Sequence, residues 1–342
     1  MLRRRVLIYA TWVLCMLGML VWVPGEVPGQ ARRIRVGYLH TLAVDGHLWL
    51  GLSKGIYRKY GLDFDLTRFT TGIALSQAIA GGSIDVGIMG AVISNFPSRG
   101  IGRVFLLNNV EHATAVIFTQ ENSGIAKVSD LRGKRLSTTR GTTADVLLFV
   151  ALKKAGVDYK DVQVVNMDMP SAVGAFLTGA VEAVSTWWPF DLQIRRTRPG
   201  ARRIAQAGDY FPEAAIVGGW VASNRFYEEN RFLLLQIARA WLEVNNLLLN
   251  DAGNSLRAIH EVAYPELSFE DLRDGYTKIK YFQNGQWAQM YRSGQAARWI
   301  ENVERVFIGL GAFADFVPAE RFFDRRIFLE AFEAYAKGRG GP

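Results

Sequence analysis

The sequence predicts an α/β protein made of two lobes, each built on a sheet of mainly parallel strands. Two observations support this fold class. Short apolar segments alternate with segments of helical periodicity between residues 34 and 90, and the same alternation returns between residues 136 and 187. This order is typical of sheets covered by helices. At about 150 residues per domain, a chain of 342 residues accommodates two lobes, each with its own core.

The first alternating block contains three predicted strands. Ile34 to Leu39 is expected to be buried, Leu62 to Leu66 has the alternation of a half-exposed strand, and Ile84 to Met89 is apolar throughout most of its length. Residues at helical spacing from Leu48 to Tyr57 separate the first two strands. A second helix ends at Gly81-Gly82, so the block follows a strand-helix-strand-helix-strand order.

The second block repeats this order. Its predicted elements are a strand at Leu136–Thr139, a helix at Thr142–Ala155, a strand at Val162–Met167, a helix at Ser171–Leu177 and a strand at Val181–Trp187. A weak internal repeat links the blocks, because Ala78 to Val86 is similar to Ala175 to Ala183. In both segments a helix ends at glycine, and an acidic residue interrupts the following apolar strand. The repeat supports two lobes of similar construction.

Two long apolar strands, Ala113–Thr119 and Ala215–Ala222, bracket the second block and are expected to cross between the lobes. From Tyr227 onward the pattern is mostly helical, and we expect these helices to cover lobe one. The predicted bounds are residues 32–116 and 222–342 for lobe one, and residues 117–221 for lobe two.

The N-terminus has the pattern of an export signal. Three arginines, Arg3 to Arg5, precede an apolar run from Val6 to Val23, and Gly29-Gln30-Ala31 is a cleavage site of small residues. Residues 1–31 are therefore predicted to be a signal peptide. The apolar run is also long enough for an uncleaved membrane anchor. In either case the rest of the chain is expected to be periplasmic or otherwise extracytoplasmic, and the only cysteine, Cys15, lies within this segment.

Ligands of open α/β sheets bind beyond the carboxyl ends of the strands. Applied to the predicted strands, this rule selects a set of candidate ligand-binding residues from both lobes. They are His40, Thr41, Gly90 and Ala91 from lobe one, Thr139, Arg140, Gly141, Thr142, Thr143, Trp187 and Trp188 from lobe two, and Trp220 on the second crossing strand.

The turn from Thr139 to Thr143 is the most informative of these segments. Thr142 is placed to cap the following helix, and unpaired amides at a helix start favour an anion. The two threonine hydroxyls would add donors, and Arg140 would add charge. Asp145 has the spacing of a capping box and would compete for the same amides, so an ordinary capped helix is the alternative.

Trp187 and Trp188 precede Pro189, which restricts the conformation of Trp188. The two indoles therefore cannot both point into the core of lobe two. One is expected to face the cleft, where Trp220 would join it around an organic ligand tail. Packing in the core is the alternative for each tryptophan.

Signals for catalysis are weak. The string from Gly51 to Gly55 matches a nucleophile elbow, but it falls inside a predicted helix instead of following a strand. Gly133-Lys134 lacks the spacing of a phosphate loop. The four histidines have no metal-ligand spacing, so neither a catalytic residue nor a metal nor a cofactor is expected.

The formal net charge is +8 at pH 7, and the densest basic run extends from Arg195 to Arg203. A solvated helix end is the simpler interpretation, and docking to an acidic or membrane surface is the alternative. Nucleic acid is not an expected partner outside the cell.

Several segments carry a family resemblance. They are Gly55-Ile56-Tyr57, Tyr60 to Asp63, Ala78 to Gly90, Val128 to Lys134, Gly141 to Thr143, Trp187 with Pro189, and Val221 to Phe226. With these segments the chain resembles the taurine-, alkanesulfonate- and nitrate-binding branch of the periplasmic solute-binding proteins of ABC importers. The resemblance extends from about Ile34 to past residue 250.

This resemblance implies the type II periplasmic-binding-protein fold, with a ligand in the cleft between the hinged lobes. It further implies a small anionic solute held by hydroxyls and amides such as those of Thr142 and Thr143, and a membrane permease with its ATPase as partner. We expect a monomer. Gly218-Gly219 stand where taurine binders carry an acidic residue, which argues against an amine-bearing ligand.

Three alternatives remain open. The first is a binding protein for the thiamin pyrimidine precursor or another neutral heterocycle. The second is an enzyme on the same fold, although the cysteine-rich motif of the related enzymes is absent from this sequence. The third is a membrane-tethered sensor.

Overall fold

The computed structural model describes residues 33–212 and 214–338, whose strands form two separate sheets. The predicted signal peptide, residues 1–31, lies outside the described residues. The part of the chain built on the six-stranded sheet is called lobe one, and the part built on the five-stranded sheet is called lobe two.

Eleven strands occur among the described residues. They are β1 Ile34–Leu39, β2 Phe64–Phe69, β3 Val86–Met89, β4 Arg103–Glu111, β5 Ala115–Thr119, β6 Arg135–Thr138, β7 Gln163–Asn166, β8 Ala183–Trp187, β9 Arg202–Gln206, β10 Val217–Ala222 and β11 Ile279–Lys280.

Thirteen α-helices occur in the same part of the chain. They are α1 Leu42–Ser53, α2 Ile56–Lys59, α3 Gly72–Ala80, α4 Thr143–Lys154, α5 Met169–Leu177, α6 Phe190–Thr197, α7 Asn224–Glu229, α8 Arg231–Asn250, α9 Ala252–Ala263, α10 Phe269–Thr277, α11 Asn284–Arg292, α12 Gln295–Gly309 and α13 Arg325–Gly338.

The sheet of lobe one has the order β11-β4-β10-β3-β1-β2. Strands β1, β2 and β3 run parallel, with Ile34 opposite Phe64 and Val36 opposite Val86. Strand β10 inserts antiparallel between β3 and β4. The parallel strands are connected through helices α1 to α3, so their carboxyl ends lie at one edge of the sheet.

The sheet of lobe two has the order β7-β6-β8-β5-β9. Strands β6, β7 and β8 are parallel and connected by α4 and α5, whereas β5 is antiparallel to β8 and β9. The sequence does not predict β4 or β9. The remaining strands of both alternating blocks form where the sequence predicts them, with ends that differ by a few residues.

The chain passes between the sheets twice. Residues 112–114 connect β4 to β5, and residues 207–216 connect β9 to β10. The apolar segments predicted as crossing strands are thus each confined to one sheet: β5 belongs to lobe two and β10 to lobe one.

Separate hydrophobic cores support the two sheets. The largest core joins the lobe-one sheet to most of the C-terminal helices, as expected. Helix α12 differs from this expectation, because its Val303 and Phe307 pack in a lobe-two core with Val146 and Leu147 of α4. A C-terminal helix therefore supports both halves of the molecule.

Candidate functional site

A cavity of about 440 Å³ opens between the lobes at the carboxyl ends of the parallel strands. Its wall includes the first residues of helices α3, α4, α5 and α6 and the segment that leads into α1. The first amides of an α-helix have no partner within the helix and carry partial positive charge. The fold thus directs five helix N-termini, from both lobes, towards one cavity.

The structure brings seven of the predicted ligand-binding residues together in the cavity wall. They are His40, Thr41, Gly90 and Ala91 from lobe one and Thr142, Thr143 and Trp187 from lobe two. The strand-end rule therefore places these residues correctly, while their contact with a ligand stays a prediction. Trp187 is partly exposed, and its ring packs edge-to-face on Phe190 with ring centroids 5.8 Å apart.

Two of the predicted tryptophans do not line the cavity. Trp220 is fully buried, and its indole nitrogen donates a hydrogen bond of 2.7 Å to Oδ1 of Asn108. Trp188 is also buried; its ring lies against Gly275 and Tyr264 of lobe one. The prediction that these indoles face the cleft is wrong, because each finds a packing partner in the core of lobe one.

Thr139, Arg140 and Gly141 lie beside the cavity but outside its wall. Arg140 is exposed, and its guanidinium approaches the carbonyl of Val164 at 3.5 Å. The Gly141 amide donates a 2.8 Å hydrogen bond to Oδ2 of Asp145. The competition expected from Asp145 thus removes one of the amides that the sequence assigns to an anion.

Three threonine hydroxyls of the wall, those of Thr41, Thr142 and Thr143, already donate their hydrogens. Thr142 donates to the carbonyl of Thr139 at 2.7 Å, and Thr143 donates to Oε1 of Glu111 at 3.1 Å. Thr41 donates to the carbonyl of Trp188 at 3.0 Å. A hydroxyl has one hydrogen, so these side chains offer acceptor lone pairs to the cavity, contrary to the expectation that the Thr142 and Thr143 hydroxyls act as donors.

Glu111 is a cavity residue that the sequence does not predict. It ends β4, is 6% exposed and accepts a second hydrogen bond, from Thr114, at 3.2 Å. Burial raises the pKa of this carboxyl to about 7, and the two hydroxyl hydrogen bonds oppose the shift only in part. Gly90 allows the Glu111 carboxyl to lie close to the backbone after β3, because a Cβ at this position would lie 2.7 Å from Glu111 Oε1.

Arg68, near the end of β2, is the second functional candidate that the sequence analysis omits. It lines the cavity and is exposed, and no ion pair within residues 33–212 and 214–338 involves it. The strand-end rule applied to β2 selects Arg68, so a sequence signal exists. Its guanidinium supplies a cation to the lobe-one side of the cavity.

The rest of the wall is mostly apolar. The remaining lining residues are Leu39, Val44, Phe69, Thr70, Thr71, Gly72, Val92, Asp168, Met169, Pro170 and Phe190. Aromatic rings therefore come from both lobes. Such a wall encloses an organic group, and a few polar groups fix its orientation.

His40 is held by a buried polar network. Its Nδ1 lies 2.9 Å from Oδ2 of Asp45, its Nε2 lies 3.3 Å from Glu266, and its ring stacks on Tyr264. Asp45 is fully buried and also accepts hydrogen bonds from Trp49 and Tyr264. Both ring nitrogens of His40 therefore have partners on the protein, and the ring is fixed in the cavity wall.

Part of the basic run from Arg195 to Arg203 joins the lobes. Arg195 on α6 lies 2.6 Å from Asp274 on α10, and Arg196 on α6 pairs with Asp271 on α10. Lys278 lies 3.2 Å from the buried Asp191 of α6. Arg195 and Arg196 thus form ion pairs between the two lobes, which differs from the solvated helix end that the sequence favours.

Comparisons with known proteins agree with this architecture. The family model described as NMT1/THI5 like matches residues 46–251. A binding protein of Brucella abortus is 33% identical over 85% of this chain and 90% of its own length. An aliphatic sulfonates-binding protein of Escherichia coli is 32% identical over 55% of this chain and 58% of its own length.

A solved structure shares the fold. The alkanesulfonate-binding protein SsuA of Xanthomonas axonopodis, bound to MOPS, superposes with a TM-score of 0.68 at 20% identity, covering 85% of this chain and 98% of that one. The two-lobed architecture is therefore the type II periplasmic-binding-protein fold. Since the family match covers more than half of the chain and the Brucella relative covers most of both proteins, this chain belongs to the NMT1/THI5-like family.

Proposed function

We propose that this protein captures a small organic anion outside the cytoplasm by closure of its lobes and delivers it to an ABC importer. The observation that carries the proposal is the convergence on one interlobe cavity of five helix N-termini and of Arg68, which has no ion-pair partner in the described part of the chain. Partial positive charges in a partly buried site favour an anion by up to about 2 kcal/mol for each helix end.

The relatives support the transport role. The aliphatic sulfonates-binding protein of Escherichia coli and the alkanesulfonate-binding protein SsuA are named as binders of organic sulfonates. By analogy, a membrane permease with its ATPase is the proposed partner, and residues 1–31 are the proposed export signal or anchor. The lobe bounds inferred from the sequence, residues 32–116 with 222–342 and residues 117–221, are the proposed rigid bodies of closure, with the start of β5 moved to lobe two and all of β10 moved to lobe one.

The cavity favours an organic ligand over nitrate. A volume of about 440 Å³ is far larger than a four-atom ion, and most of its wall is apolar. An alkanesulfonate or a similar anion with a cyclic tail fits this arrangement, because the tail contacts Phe69, Trp187 and Phe190 while the head meets the helix N-termini.

We propose binding and not catalysis for this cavity. Nucleophilic catalysis by a hydroxyl needs an adjacent base within hydrogen-bond reach. Thr41 and Thr142 donate to backbone carbonyls, and both nitrogens of His40 are engaged by carboxylates. Thr143 does donate to the Glu111 carboxyl, but both of these side chains are buried, which restricts the access of a substrate to the Thr143 oxygen. Ser53, in the nucleophile-elbow string, donates to the carbonyl of Leu50 near the end of α1.

A thermal-shift panel tests the proposal. It contains alkanesulfonates, 3-(cyclohexylamino)propane-1-sulfonate, taurine, nitrate, carboxylates and aminopyrimidines. A ligand at 100 times its dissociation constant adds about 2.7 kcal/mol to the unfolding free energy. Sulfonates should raise the melting temperature, and an Arg68→Met variant should weaken this effect. Mass spectrometry should recover the bound compound unchanged, whereas a converted product would support an enzyme.

The neutral heterocycle is the second candidate. The rings of Phe69, Trp187 and Phe190 and the acceptor oxygens near Glu111 suit a flat ring that carries amino groups. A panel in which only aminopyrimidines raise the melting temperature would replace the anion proposal with this one.

A further inference from the structure

The contact between α6 of lobe two and α10 of lobe one contains a row of ion pairs. Asp271 and Asp274 lie on α10 and Lys278 follows it directly, at spacings of three and four residues that place all three on one face. Their partners lie on α6: Lys278 lies 3.2 Å from Asp191, Asp274 lies 2.6 Å from Arg195, and Asp271 contacts Arg196. We call Lys278–Asp191 the inner pair and the other two the outer pairs.

The three pairs lie at different distances from the point where the chain first passes between the lobes. The Ala113 amide, in the connection at residues 112–114, donates a 2.7 Å hydrogen bond to the carbonyl of Lys278, so the inner pair lies beside this connection. At about 1.5 Å per residue, Asp274 lies roughly 6 Å and Asp271 roughly 10 Å further along α10. A rotation of the lobes about the connection therefore separates α6 from α10 least at the inner pair and most at Asp271.

Burial follows the same order. Both side chains of the inner pair are buried or nearly so, and the Trp188 ring packs beside them on Gly275. The arginines of the outer pairs are exposed, by 40% for Arg195 and 62% for Arg196. Salt screens exposed charges far more than buried ones. The inner pair is therefore suited to persist during a rotation, whereas the outer pairs can separate into water.

Helix α6 is directly continuous with the lobe-two wall of the cavity. It begins at Phe190, which lines the cavity, and Thr41 of lobe one donates a hydrogen bond to the carbonyl of Trp188 just before it. A movement of this wall away from lobe one therefore carries α6 away from α10. The outer pairs oppose that movement, because their carboxylates belong to lobe one and their arginines to lobe two.

We propose that the contact between α6 and α10 is an electrostatic latch, which favours closed lobes before any ligand binds. The inner pair and Trp188 form its pivot, and the outer pairs break when the lobes open. This inference rests on the proposed function, because it adds a control on the lobe closure proposed there. The outer pairs set the ratio of open to closed molecules, and ionic strength changes that ratio. Each exposed ion pair shifts such an equilibrium by up to roughly 5-fold.

Distances between two spin labels test the latch in the ligand-free protein. Cys15 is the only cysteine of the chain, so a Cys15→Ser background accepts labels at Thr67→Cys on β2 and Lys160→Cys before β7. Both positions are exposed, and β2 and β7 are the sheet edges farthest in strand order from the strands that the connections join. Pulsed electron–electron double resonance then measures how far the lobes are apart. In 0.1 M NaCl we expect mainly one short distance.

Salt and the removal of the outer pairs should both populate a longer distance. Between 0.1 M and 1 M NaCl the Debye length falls from about 10 Å to about 3 Å, which weakens exposed pairs. Arg195→Met/Arg196→Met removes both outer pairs, and Lys278 stays beside Asp191 and Asp274. This double variant should raise the ratio of open to closed molecules at least roughly 3-fold in 0.1 M NaCl and should lose most of the response to salt. Asp271→Asn removes one outer pair from the lobe-one side and should produce a smaller shift in the same direction.

Arg202→Met/Arg203→Met is the matched control, because it removes two exposed arginines of the same basic run from β9. Neither side chain belongs to an ion pair within residues 33–212 and 214–338. The control has the same net charge as Arg195→Met/Arg196→Met and should keep the original distances and their response to salt. Circular dichroism and a thermal melt establish that each variant folds, and where the double variant does not fold, Arg196→Met and Asp271→Asn decide.

The outcomes separate the latch from the proposed function. Unchanged distances in Arg195→Met/Arg196→Met, or an equal change in the control, overturn the latch. In that case, a sulfonate that shortens the label distance still supports closure around a ligand. A longer distance that appears with salt and in the double variant, but not in the control, supports the latch. It does so even where no sulfonate raises the melting temperature, and then only the proposed ligand class is wrong.

Discussion

Glu111 makes the stability of the protein depend on pH, because its carboxyl is buried at the end of β4. Burial raises its pKa from the usual value of 4.5 to about 7. Between these two values the folded protein holds a proton that the unfolded chain has released, so the unfolding free energy decreases as the pH rises through this window. At about 1.4 kcal/mol per pKa unit, the contribution is roughly 3 kcal/mol.

Glu111→Gln should remove this pH dependence. Urea denaturation at pH values from 4.5 to 8 measures the unfolding free energy of the wild-type protein and of the variant. As the pH rises over this range, the unfolding free energy of the variant should increase relative to that of the wild type by roughly 3 kcal/mol. The pKa of Glu304 is likewise raised by burial to about 7, and this contribution is present in both proteins and cancels. Parallel stability curves would contradict the prediction.

Residue-scale errors in the site have a common physical cause. Trp187 and Trp188 are adjacent in sequence, yet only Trp187 lines the cavity. The partners that bury Trp188 and Trp220, namely Tyr264 and Asn108, lie far away in the chain. The sequence alone indicates that a tryptophan side chain should be buried. It does not identify the distant residues that pack against it.

At the scale of elements, local patterns predict the strands and helices of the two blocks. β1 has its predicted bounds, and α4 differs from its prediction by one residue at each end. β4 is not predicted, because Asn108 and Asn109 interrupt its apolar run. Their amides donate to the carbonyls of Val44 and Ala43 on α1. Only tertiary contacts make these polar residues compatible with a buried strand.

Helix α10 of lobe one packs closely on Trp188 of lobe two. A Cβ on Gly275 would lie 2.5 Å from Cε2 of Trp188, a rigid ring with no space to retreat. Gly275→Ala should therefore destabilise the protein by about 1–3 kcal/mol, as overpacking does. Gly253→Ala in α9, where a Cβ meets no atom within 4 Å, is the control and should stabilise the protein by up to about 1 kcal/mol. Equal effects in denaturant unfolding would contradict the packing argument.

The ion pair between Lys278, at the end of α10, and Asp191 on α6 is mostly buried, whereas the pair between Arg231 on α8 and Glu330 on α13 lies on the surface. The side chains of Lys278 and Asp191 are 14% and 2% exposed, whereas those of Arg231 and Glu330 are about half exposed. Lys278→Met leaves the buried Asp191 with Arg195 alone, and should cost about 2 kcal/mol or more. Arg231→Met should cost at most about 1 kcal/mol. Denaturant unfolding measures the loss of unfolding free energy in each variant. A loss for Lys278→Met as small as that for Arg231→Met would show that other groups compensate the buried Asp191 charge.

For the whole molecule, the topology and the site are linked by one geometric fact. Parallel strands place all their carboxyl ends, and hence the following helix N-termini, at one edge of each sheet. The two connections at residues 112–114 and 207–216 turn these edges towards each other. The alternating pattern of the sequence therefore predicts the location of the cavity. It also points to the end of β2, where Arg68 lies, but not to Glu111, because the pattern does not predict β4.

Closure should be visible in the fluorescence of Trp187. This indole is partly exposed in the cavity wall, while Trp188, Trp220 and Trp241 are fully buried in the core. Binding of 3-(cyclohexylamino)propane-1-sulfonate should exclude water from Trp187 as the lobes shift towards the closed state, and should move the emission to shorter wavelength. Trp187→Phe should abolish this shift. Trp49→Phe is the control, because Trp49 is partly buried outside the cavity wall and hydrogen-bonded to Asp45. If the Trp187→Phe variant binds the ligand by calorimetry and still shows the full emission shift, the shift comes from a tryptophan outside the proposed cleft, and the prediction is wrong.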